Sequence, residues 1–188
     1  MTDTAFGPTA LNTPANYVTI ARLLLSPLLF VMITDSGPSW LVLALWTVLC
    51  LTDGIDGFLA RRHGTTRSGA FLDPLADKML VLGALVALVA LDRFGWLPVL
   101  LITAREVAIS FYRAYWARRG LSIPARKSAK AKTVTQQLAV GFALAPPLAD
   151  DPGWVADITL WVAVVLTVLT GAQYLHDGSR AAAPNPAA

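Results

Sequence analysis

The sequence predicts an all-α integral membrane protein, a bundle of six transmembrane helices, and three observations support this. Apolar residues make up 55% of the 188 residues and charged residues only 14%, far from the composition of average soluble domains. The apolar residues form long continuous blocks, most of them long enough to cross ~30 Å of hydrocarbon as a helix. Segments that cross lipid must be helices or strands of a closed barrel, and blocks without alternation favour helices.

The predicted spans follow one another along the chain, and the fifth is the shortest. They cover Val18–Thr34, Leu41–Ala60, Phe71–Leu91, Leu97–Trp116, Val134–Leu148 and Val155–Leu175. Residues 18–175 are therefore expected to form one transmembrane domain. Residues 1–17 would be an N-terminal cytoplasmic segment, and residues 176–188 a flexible C-terminal tail, because chain ends rich in small and polar residues are seldom ordered.

The distribution of basic residues predicts the orientation of these spans. The cations gather in the second and fourth connections, as Arg61, Arg62 and Arg67, and then Arg118, Arg119, Arg126, Lys127, Lys130 and Lys132. The other connections are short and largely acidic. Because cytoplasmic loops carry an excess of Lys and Arg, both chain ends and both basic connections are expected on the cytoplasmic side of the cell (inner) membrane. No basic segment precedes the first span, so a cleaved signal peptide is not expected.

Four aspartates lie where membrane helices rarely tolerate charge. Asp53 and Asp56 end the second span, and Asp73 and Asp77 begin the third. A charge deep in a bilayer costs roughly 2.5–3.5 kcal/mol, so charged residues there usually mark a functional site. The spacings i, i+3 and i, i+4 put each pair on one face of its helix, and the short connection makes the two helices antiparallel neighbours. Such carboxylates favour Mg²⁺, Mn²⁺ or Ca²⁺ over zinc.

Small residues beside these aspartates predict a phosphate-containing ligand. Gly57 and Ala60 share the helix face of Asp53 and Asp56, and Gly69 stands where the third span begins. Their small side chains allow a ligand to approach the helix backbone. Arg61 adds a guanidinium group suited to phosphate oxygens. Two metal ions held by four carboxylates can clamp a phosphate or a pyrophosphate.

The run D-x2-D-G-x2-A-R-x7-G-x3-D-x3-D resembles the signature of the CDP-alcohol phosphotransferases. The matching positions are Asp53, Asp56, Gly57, Ala60, Arg61, Gly69, Asp73 and Asp77. The resemblance implies the six-helix bundle of that family, usually as a homodimer, and transfer of a phosphatidyl-type group from a CDP-linked donor to an alcohol with release of CMP. It also implies a site with two Mg²⁺ or Mn²⁺ ions.

The same resemblance assigns a role to each of these residues. The aspartates would hold the metal ions, with Asp77 also proposed as the general base. The CDP-linked donor would be bound by Asp53, Asp56, Gly57, Ala60, Arg61, Gly69 and Asp73.

Other segments are similar to bacterial phosphatidylglycerophosphate synthases within this family. They are Asn16–Arg22 with Pro27, then Ala104-Arg105-Glu106 with Ser110 and Arg113, and Lys130–Thr133 with Gln136. Two positions depart from the pattern, where Ala15 replaces a proline and Ala129 a glycine. This similarity implies CDP-diacylglycerol as donor and sn-glycerol 3-phosphate as acceptor. A phosphorylated acceptor needs cations near the metal site, and the candidates are Arg105, Arg113, Lys130 and Lys132.

Several alternatives remain open at this point. Within the family, the acceptor can instead be inositol phosphate or phosphatidylglycerol. Outside it, an intramembrane prenyltransferase also uses aspartates with Mg²⁺, and a divalent-cation transporter can place carboxylates in a helix bundle. The basic residues can serve only topology and attraction to anionic membrane lipids, an interpretation favoured for Arg118, Arg119, Arg126 and Lys127. No nucleic-acid partner is expected.

Overall fold

The computed structural model describes the backbone of residues 14–63, 69–119, 127–149 and 153–182, and side chains within 16–52, 73–119, 130–149 and 153–176. All regular structure in these ranges is helical. The helices are α1 (Pro14–Ser36), α2 (Trp40–His63), α3 (Gly69–Ala90), α4 (Trp96–Arg118), α5 (Lys127–Leu144), α6 (Pro146–Ala149) and α7 (Trp154–Ala182).

The long helices correspond to the predicted apolar spans, which confirms the all-α prediction for the described residues. In that part of the chain, two helical segments, Asn16–Ser36 and Trp154–His176, have the length and hydropathy needed to cross a membrane. The count of six crossings stays a prediction. Helix α7 continues to Ala182, past the predicted boundary at Leu175. The expectations for residues 1–13 and 183–188 lie outside the described residues.

The fifth span differs most from its prediction. We expected one segment over Val134–Leu148, but α5 begins at Lys127 and ends at Leu144, and the single turn of α6 follows. The prolines Pro146 and Pro147 explain the break, because proline has no backbone N–H to donate and disfavours a helical conformation in the preceding residue. Helix α5 begins earlier than predicted because its first residues, 127–132, include three lysines. A search for apolar segments does not detect such a polar helical turn.

Helix α1 packs along both α2 and α3, while α7 packs along α5 and α4. The hydrogen bond from Thr19 to Asp73 and the contact of Phe30 with Gly83 show that α1 and α3 run parallel. Between α2 and α5, the indole N–H of Trp46 donates to the Gln137 carbonyl oxygen over 3.3 Å. The bundle is therefore held by both apolar packing and hydrogen bonds between helices.

One end of the bundle is closed by the turn between α3 and α4. Asp92 adopts a positive φ of 56° there, and the Arg93 guanidinium donates to the Ala149 carbonyl oxygen at the end of α6. Because α3 begins at the other end, the start of α3 and the end of α2 lie away from this turn. The two helix ends that carry the four aspartates are therefore at the same end of the bundle.

The outer surface of the bundle is rich in large apolar side chains. Leu24 is 72% exposed and Phe111 is 73% exposed, and many similar residues accompany them. A soluble protein rarely exposes apolar surface continuously. Together with the two long apolar segments, this surface indicates a membrane protein.

Candidate functional site

The structure places Asp73 and Asp77 one turn apart near the start of α3, and both are half-buried. The Thr19 hydroxyl of α1 donates a hydrogen bond of 2.7 Å to Asp73 Oδ1. Asp53 and Asp56 lie on the helical backbone of α2, and Gly69 is the first residue of α3. The side chains of residues 53–72 lie outside the described residues, so the convergence of the four carboxylates stays a prediction. It also stays a prediction that Gly57, Ala60 and Arg61 lie at this site.

The donor chemistry of these residues fits a magnesium or manganese site. Asp73 and Asp77 supply the hard carboxylate oxygens that such ions prefer. Among residues with described side chains, no group of three or more His, Cys, Asp or Glu is placed to hold a metal ion. Asp53 and Asp56 of α2 are the further carboxylates that the sequence predicts for such a site.

Helix α1 carries a buried polar stripe that contacts Asp73 through Thr19. Asn16, Thr19, Arg22 and Ser26 are all at most 1% exposed. The parallel register of α1 and α3 places Arg22 near the level of Asp77, one turn beyond the bond between Thr19 and Asp73. Polar residues spaced by three or four within an apolar span are the signal that identifies such a stripe. Helix α1 therefore forms one wall of the acidic site.

A buried charged cluster joins α4 to α5. Arg105 Nη1 donates to Glu106 Oε1 over 2.9 Å, and Lys132 Nζ donates to the same oxygen. Glu106 and Lys132 are each only 7% exposed. Glu106 thus balances both Arg105 and Lys132. Two cations share one carboxylate, so the cluster carries a net positive charge.

Lys78 extends this cluster toward the acidic helix. Its ammonium group donates to the Ser110 hydroxyl, which in turn donates to the backbone oxygen of Glu106. Lys78 therefore connects α3, the helix of Asp73 and Asp77, to α4 beside the cluster. We did not predict it from the sequence, although a lysine inside an apolar span is a recognisable signal.

The four candidate acceptor residues have different surroundings. Arg105 and Lys132 meet in the buried cluster. The exposed Arg113 lies with its guanidinium carbon 5.8 Å from the ring centre of Tyr174, and Arg105 approaches the same ring at 5.9 Å. Lys130 is exposed near the start of α5. The structure therefore brings Arg105, Lys132 and Arg113 into one region, and Lys130 lies on the surface beside them.

Two apolar grooves border the site. One, of about 420 Å³, runs between α2 and α5 past Trp46, Cys50 and Leu138, and Leu51 is among its lining residues. The other, of about 1170 Å³, lies between α1, α3 and α4. Its walls are apolar, except that Thr34, Lys78, Glu106 and Ser110 contribute polar groups. Both grooves open toward the outer surface of the bundle.

Comparison with known sequences gives a consistent set of relatives. The family model described as CDP-alcohol phosphatidyltransferase matches residues 12–169. A probable phosphatidylglycerophosphate synthase of Mycobacterium tuberculosis is 35% identical over 170 residues, covering 86% of this chain and 79% of the relative. A CDP-diacylglycerol–glycerol-3-phosphate 3-phosphatidyltransferase of Bacillus subtilis is 34% identical over 178 residues, covering 85% and 91%.

Comparison with solved structures supports the same fold. The crystal structure of the Mycobacterium tuberculosis phosphatidylinositol phosphate synthase in apo form matches with a TM-score of 0.68. The match covers 93% of this chain and 95% of that chain at 22% sequence identity. At this identity the likeness concerns the fold alone.

Proposed function

Because the chain belongs to the CDP-alcohol phosphatidyltransferase family, we propose that it transfers the phosphatidyl group of CDP-diacylglycerol to sn-glycerol 3-phosphate. The products would be phosphatidylglycerol phosphate and CMP. The observation that carries this proposal is the buried cluster of Arg105, Glu106 and Lys132, which lies beside the helix that carries Asp73 and Asp77. That arrangement suits a reaction between a pyrophosphate donor and a phosphorylated acceptor. The names of the relatives from Mycobacterium tuberculosis and Bacillus subtilis agree with it.

The four aspartates would hold two Mg²⁺ or Mn²⁺ ions. Such ions, when bound, neutralise pyrophosphate charge and stabilise the departing phosphate of CMP. Gly57, Ala60, Arg61 and Gly69 are proposed, with the aspartates, to bind the CDP part of the donor. The hydrogen bond from Thr19 supports the metal-binding role of Asp73, because it fixes one carboxylate oxygen and leaves the other available as a metal ligand.

Asp77 is proposed as the general base. Its carboxylate would take the proton from the acceptor hydroxyl, as general bases do within hydrogen-bonding reach of the group they activate. The freed oxygen would attack the β-phosphorus of the donor. One oxygen–phosphorus bond forms, the bond from that phosphorus to the bridging oxygen breaks, and CMP leaves with the electron pair.

The cations of α4 and α5 are proposed to bind the acceptor phosphate. Arg105 is planar and pre-oriented, which suits bidentate phosphate contact. Arg113 lies on the exposed side of the cluster, and Lys132 lies at its buried side. The exposed Lys130 would add positive charge at the surface of the acceptor site. A neutral acceptor would not need this concentration of positive charge.

The groove between α2 and α5 is proposed to receive an acyl chain of the donor. It is lined mostly by apolar side chains, and one of them, Leu51, lies two residues before Asp53. A donor whose pyrophosphate lies at the acidic site would have its tails at the start of this groove. The donor would thus stay partly in the membrane while its head group reacts.

We also propose that the protein crosses the cell membrane six times, with its site and both ends in the cytoplasm. The excess of Lys and Arg in the second and fourth connections supports this orientation. The homodimer implied by the family remains a proposal that rests on resemblance alone.

Four alternative functions stay open to test. Inositol phosphate or phosphatidylglycerol as acceptor would preserve the chemistry, while a prenyltransferase or a cation transporter would replace it. The family match weighs against the last two. Phosphatidylglycerol, whose phosphodiester remains in the lipid, would make little use of Arg105 and Lys132.

The decisive experiment is a substrate assay. Purified protein is incubated with CDP-diacylglycerol, Mg²⁺ and each acceptor in turn, and the lipid product is identified by mass spectrometry. We expect phosphatidylglycerol phosphate and CMP in equal amounts with sn-glycerol 3-phosphate. Product only with inositol phosphate would retain the family chemistry and overturn the acceptor. No CMP release with any acceptor would overturn the proposed activity.

A further inference from the structure

Helix α7 contributes a buried polar stripe to the cationic cluster. Thr167, Thr170, Gly171 and Tyr174 are spaced i, i+3, i+4 and i+7, so they share one face of the helix. All are buried, and the two threonines are 0% and 3% exposed. The sequence predicted only an apolar span here. A stripe of this kind within an apolar helix needs partners on neighbouring helices.

The partners of this stripe lie on α4 and α5. Arg105 Nη2 donates to Thr170 Oγ1 over 2.9 Å, and Gln136 Nε2 donates to Thr167 Oγ1 over 3.0 Å. The Thr170 hydroxyl donates its own proton to backbone oxygens of α7 at Leu166 and Thr167. Its direction is therefore fixed by the helix, and it presents a lone pair to Arg105.

Gly171 provides the space that Arg105 occupies. A Cβ atom at this position would lie 3.0 Å from Arg105 Nε and 3.3 Å from its Cγ. Such contacts are tighter than side chains normally make, so a larger residue would displace the arginine. The side chain of Arg105 therefore lies directly against the backbone of α7.

The ring of Tyr174 also lies close to the Arg105 guanidinium group. Its ring centre lies 5.9 Å from the guanidinium carbon of Arg105 and 5.8 Å from that of Arg113. Both distances are within the range of cation–π attraction. One buried ring thus interacts with two of the arginines assigned to the acceptor phosphate.

From these contacts we infer that Thr170, Gly171 and Tyr174 of α7 are positioning residues for the acceptor site, acting through Arg105. Glu106 fixes one Nη atom of Arg105 and Thr170 fixes the other. These two bonds use two of the five N–H groups of the guanidinium. The Nε–H group is buried against Gly171, so one N–H on each Nη atom remains for a phosphate. A long arginine side chain loses considerable conformational entropy when it is ordered. Ordering it before the acceptor arrives increases affinity for the acceptor.

This inference rests on the proposed function, because it takes Arg105 as an acceptor ligand. It goes beyond that proposal by giving the last helix a role in acceptor affinity. It also predicts which kinetic constant changes. The α7 residues should affect KM for the phosphorylated acceptor and leave KM for CDP-diacylglycerol unchanged.

The first test replaces Thr170 by valine, which has nearly the same shape but no hydroxyl. We expect Thr170→Val to raise KM for sn-glycerol 3-phosphate about tenfold, consistent with loss of a hydrogen bond to a charged group, while kcat changes less than twofold. Thr170→Ser should restore the wild-type value. Thr159→Val is the matched control, because the Thr159 hydroxyl bonds only the Val155 carbonyl oxygen of its own helix. Equal changes in Thr159→Val and Thr170→Val would overturn the inference.

The second test concerns space and the aromatic ring. Gly171→Ala should raise KM for the acceptor several-fold, whereas Gly153→Ala should not, because a Cβ there would meet only the Ala149 carbonyl oxygen at 3.8 Å. Tyr174→Phe keeps the ring face and should behave like wild type, while Tyr174→Leu should raise the acceptor KM. A uniform fall in kcat with unchanged KM in these variants would indicate a structural role and contradict the inference.

A double-mutant cycle separates this inference from the proposed function. If α7 acts through Arg105, then adding Thr170→Val to Arg105→Gln should raise the acceptor KM no further than Arg105→Gln alone. If Arg105→Gln raises KM but Thr170→Val does not, the role of α7 is wrong and the acceptor site stands. If Arg105→Gln leaves KM unchanged, both ideas fail. Additive effects of the two changes would also overturn the coupling.

Discussion

At the scale of single residues, the hydrogen bond between Thr19 and Asp73 shows how an apolar helix supports acid chemistry. Thr19 is 1% exposed and donates to one carboxylate oxygen over 2.7 Å. A hydrogen bond to a charged group contributes about 1.5–3 kcal/mol, and it also fixes the direction of the carboxylate. An oriented carboxylate is a better metal ligand than one that rotates.

We therefore expect Thr19→Val to raise the Mg²⁺ concentration needed for half-maximal activity about tenfold, and Thr19→Ser to restore it. The measurement is a magnesium titration of initial rate at saturating substrates. Thr34→Val serves as control, since the Thr34 hydroxyl bonds only backbone oxygens of its own helix. An unchanged magnesium requirement in Thr19→Val would show that the bond does not orient a ligand.

Asp77 allows a separate prediction about the role of one carboxylate. If it is the general base, Asp77→Asn should lower kcat by about 10²–10⁴-fold, the usual contribution of such a group. Donor affinity, measured by binding of CDP-diacylglycerol, should change far less. A parallel loss of donor affinity would make Asp77 chiefly a metal ligand.

At the scale of helices, the acidic ends of α2 and α3 are predicted to work as a pair. Activity should need Mg²⁺ or Mn²⁺ and should disappear with excess chelator, because carboxylates with phosphate suit these ions. Asp53→Asn, Asp56→Asn and Asp73→Asn should each abolish turnover in protein that still inserts and folds. Asp157→Asn, at an exposed position in the first turn of α7, should remain active. Full activity in excess chelator would exclude the metal site.

The packing of α1 on α3 depends on the absence of a side chain at Gly83. A Cβ atom there would overlap the tip of the Phe30 ring, so the ring would have to move. We expect Gly83→Val to destabilise the protein by about 1–3 kcal/mol, the usual cost of overpacking, as measured by thermal unfolding in detergent.

Two further variants make this packing prediction specific. Phe30→Ala should relieve the clash, so the double variant should be more stable than the sum of the single changes predicts. Gly95→Val should be tolerated, because a Cβ there would meet only Pro98 Cδ at 3.7 Å. Additive destabilisation would mean that Phe30 is not the group displaced.

At the scale of the whole molecule, the charge pattern predicts one orientation in the membrane. In a Cys50→Ala background, Thr65→Cys and Ala125→Cys should react with a membrane-impermeant thiol reagent only from the cytoplasmic side. Ser36→Cys and Asp151→Cys should react only from outside. The excess of Lys and Arg in the second and fourth connections is the physical reason. The opposite labelling would place the site away from cytosolic CDP-linked substrates.

The sequence by itself determined the helical class, the order of the long helices and the family. Long apolar blocks must satisfy their backbone groups internally, so their helical structure follows from composition. The spacing of Asp73 and Asp77 fixes a common helix face from local geometry alone. Ends of helices were also predictable to within a few residues, except at the start of α5, which is Lys127, and at the end of α7, which is Ala182.

Only the tertiary structure decided which helix faces meet. Leu28 is 50% exposed and Leu29 is fully buried, although the two residues are identical. In lipid, the outside of a bundle is as apolar as its core, so hydropathy does not determine how each helix is rotated about its axis. The contacts of Thr19 with Asp73 and of Arg105 with Thr170 depend on that rotation. They become visible only when the helices are packed together.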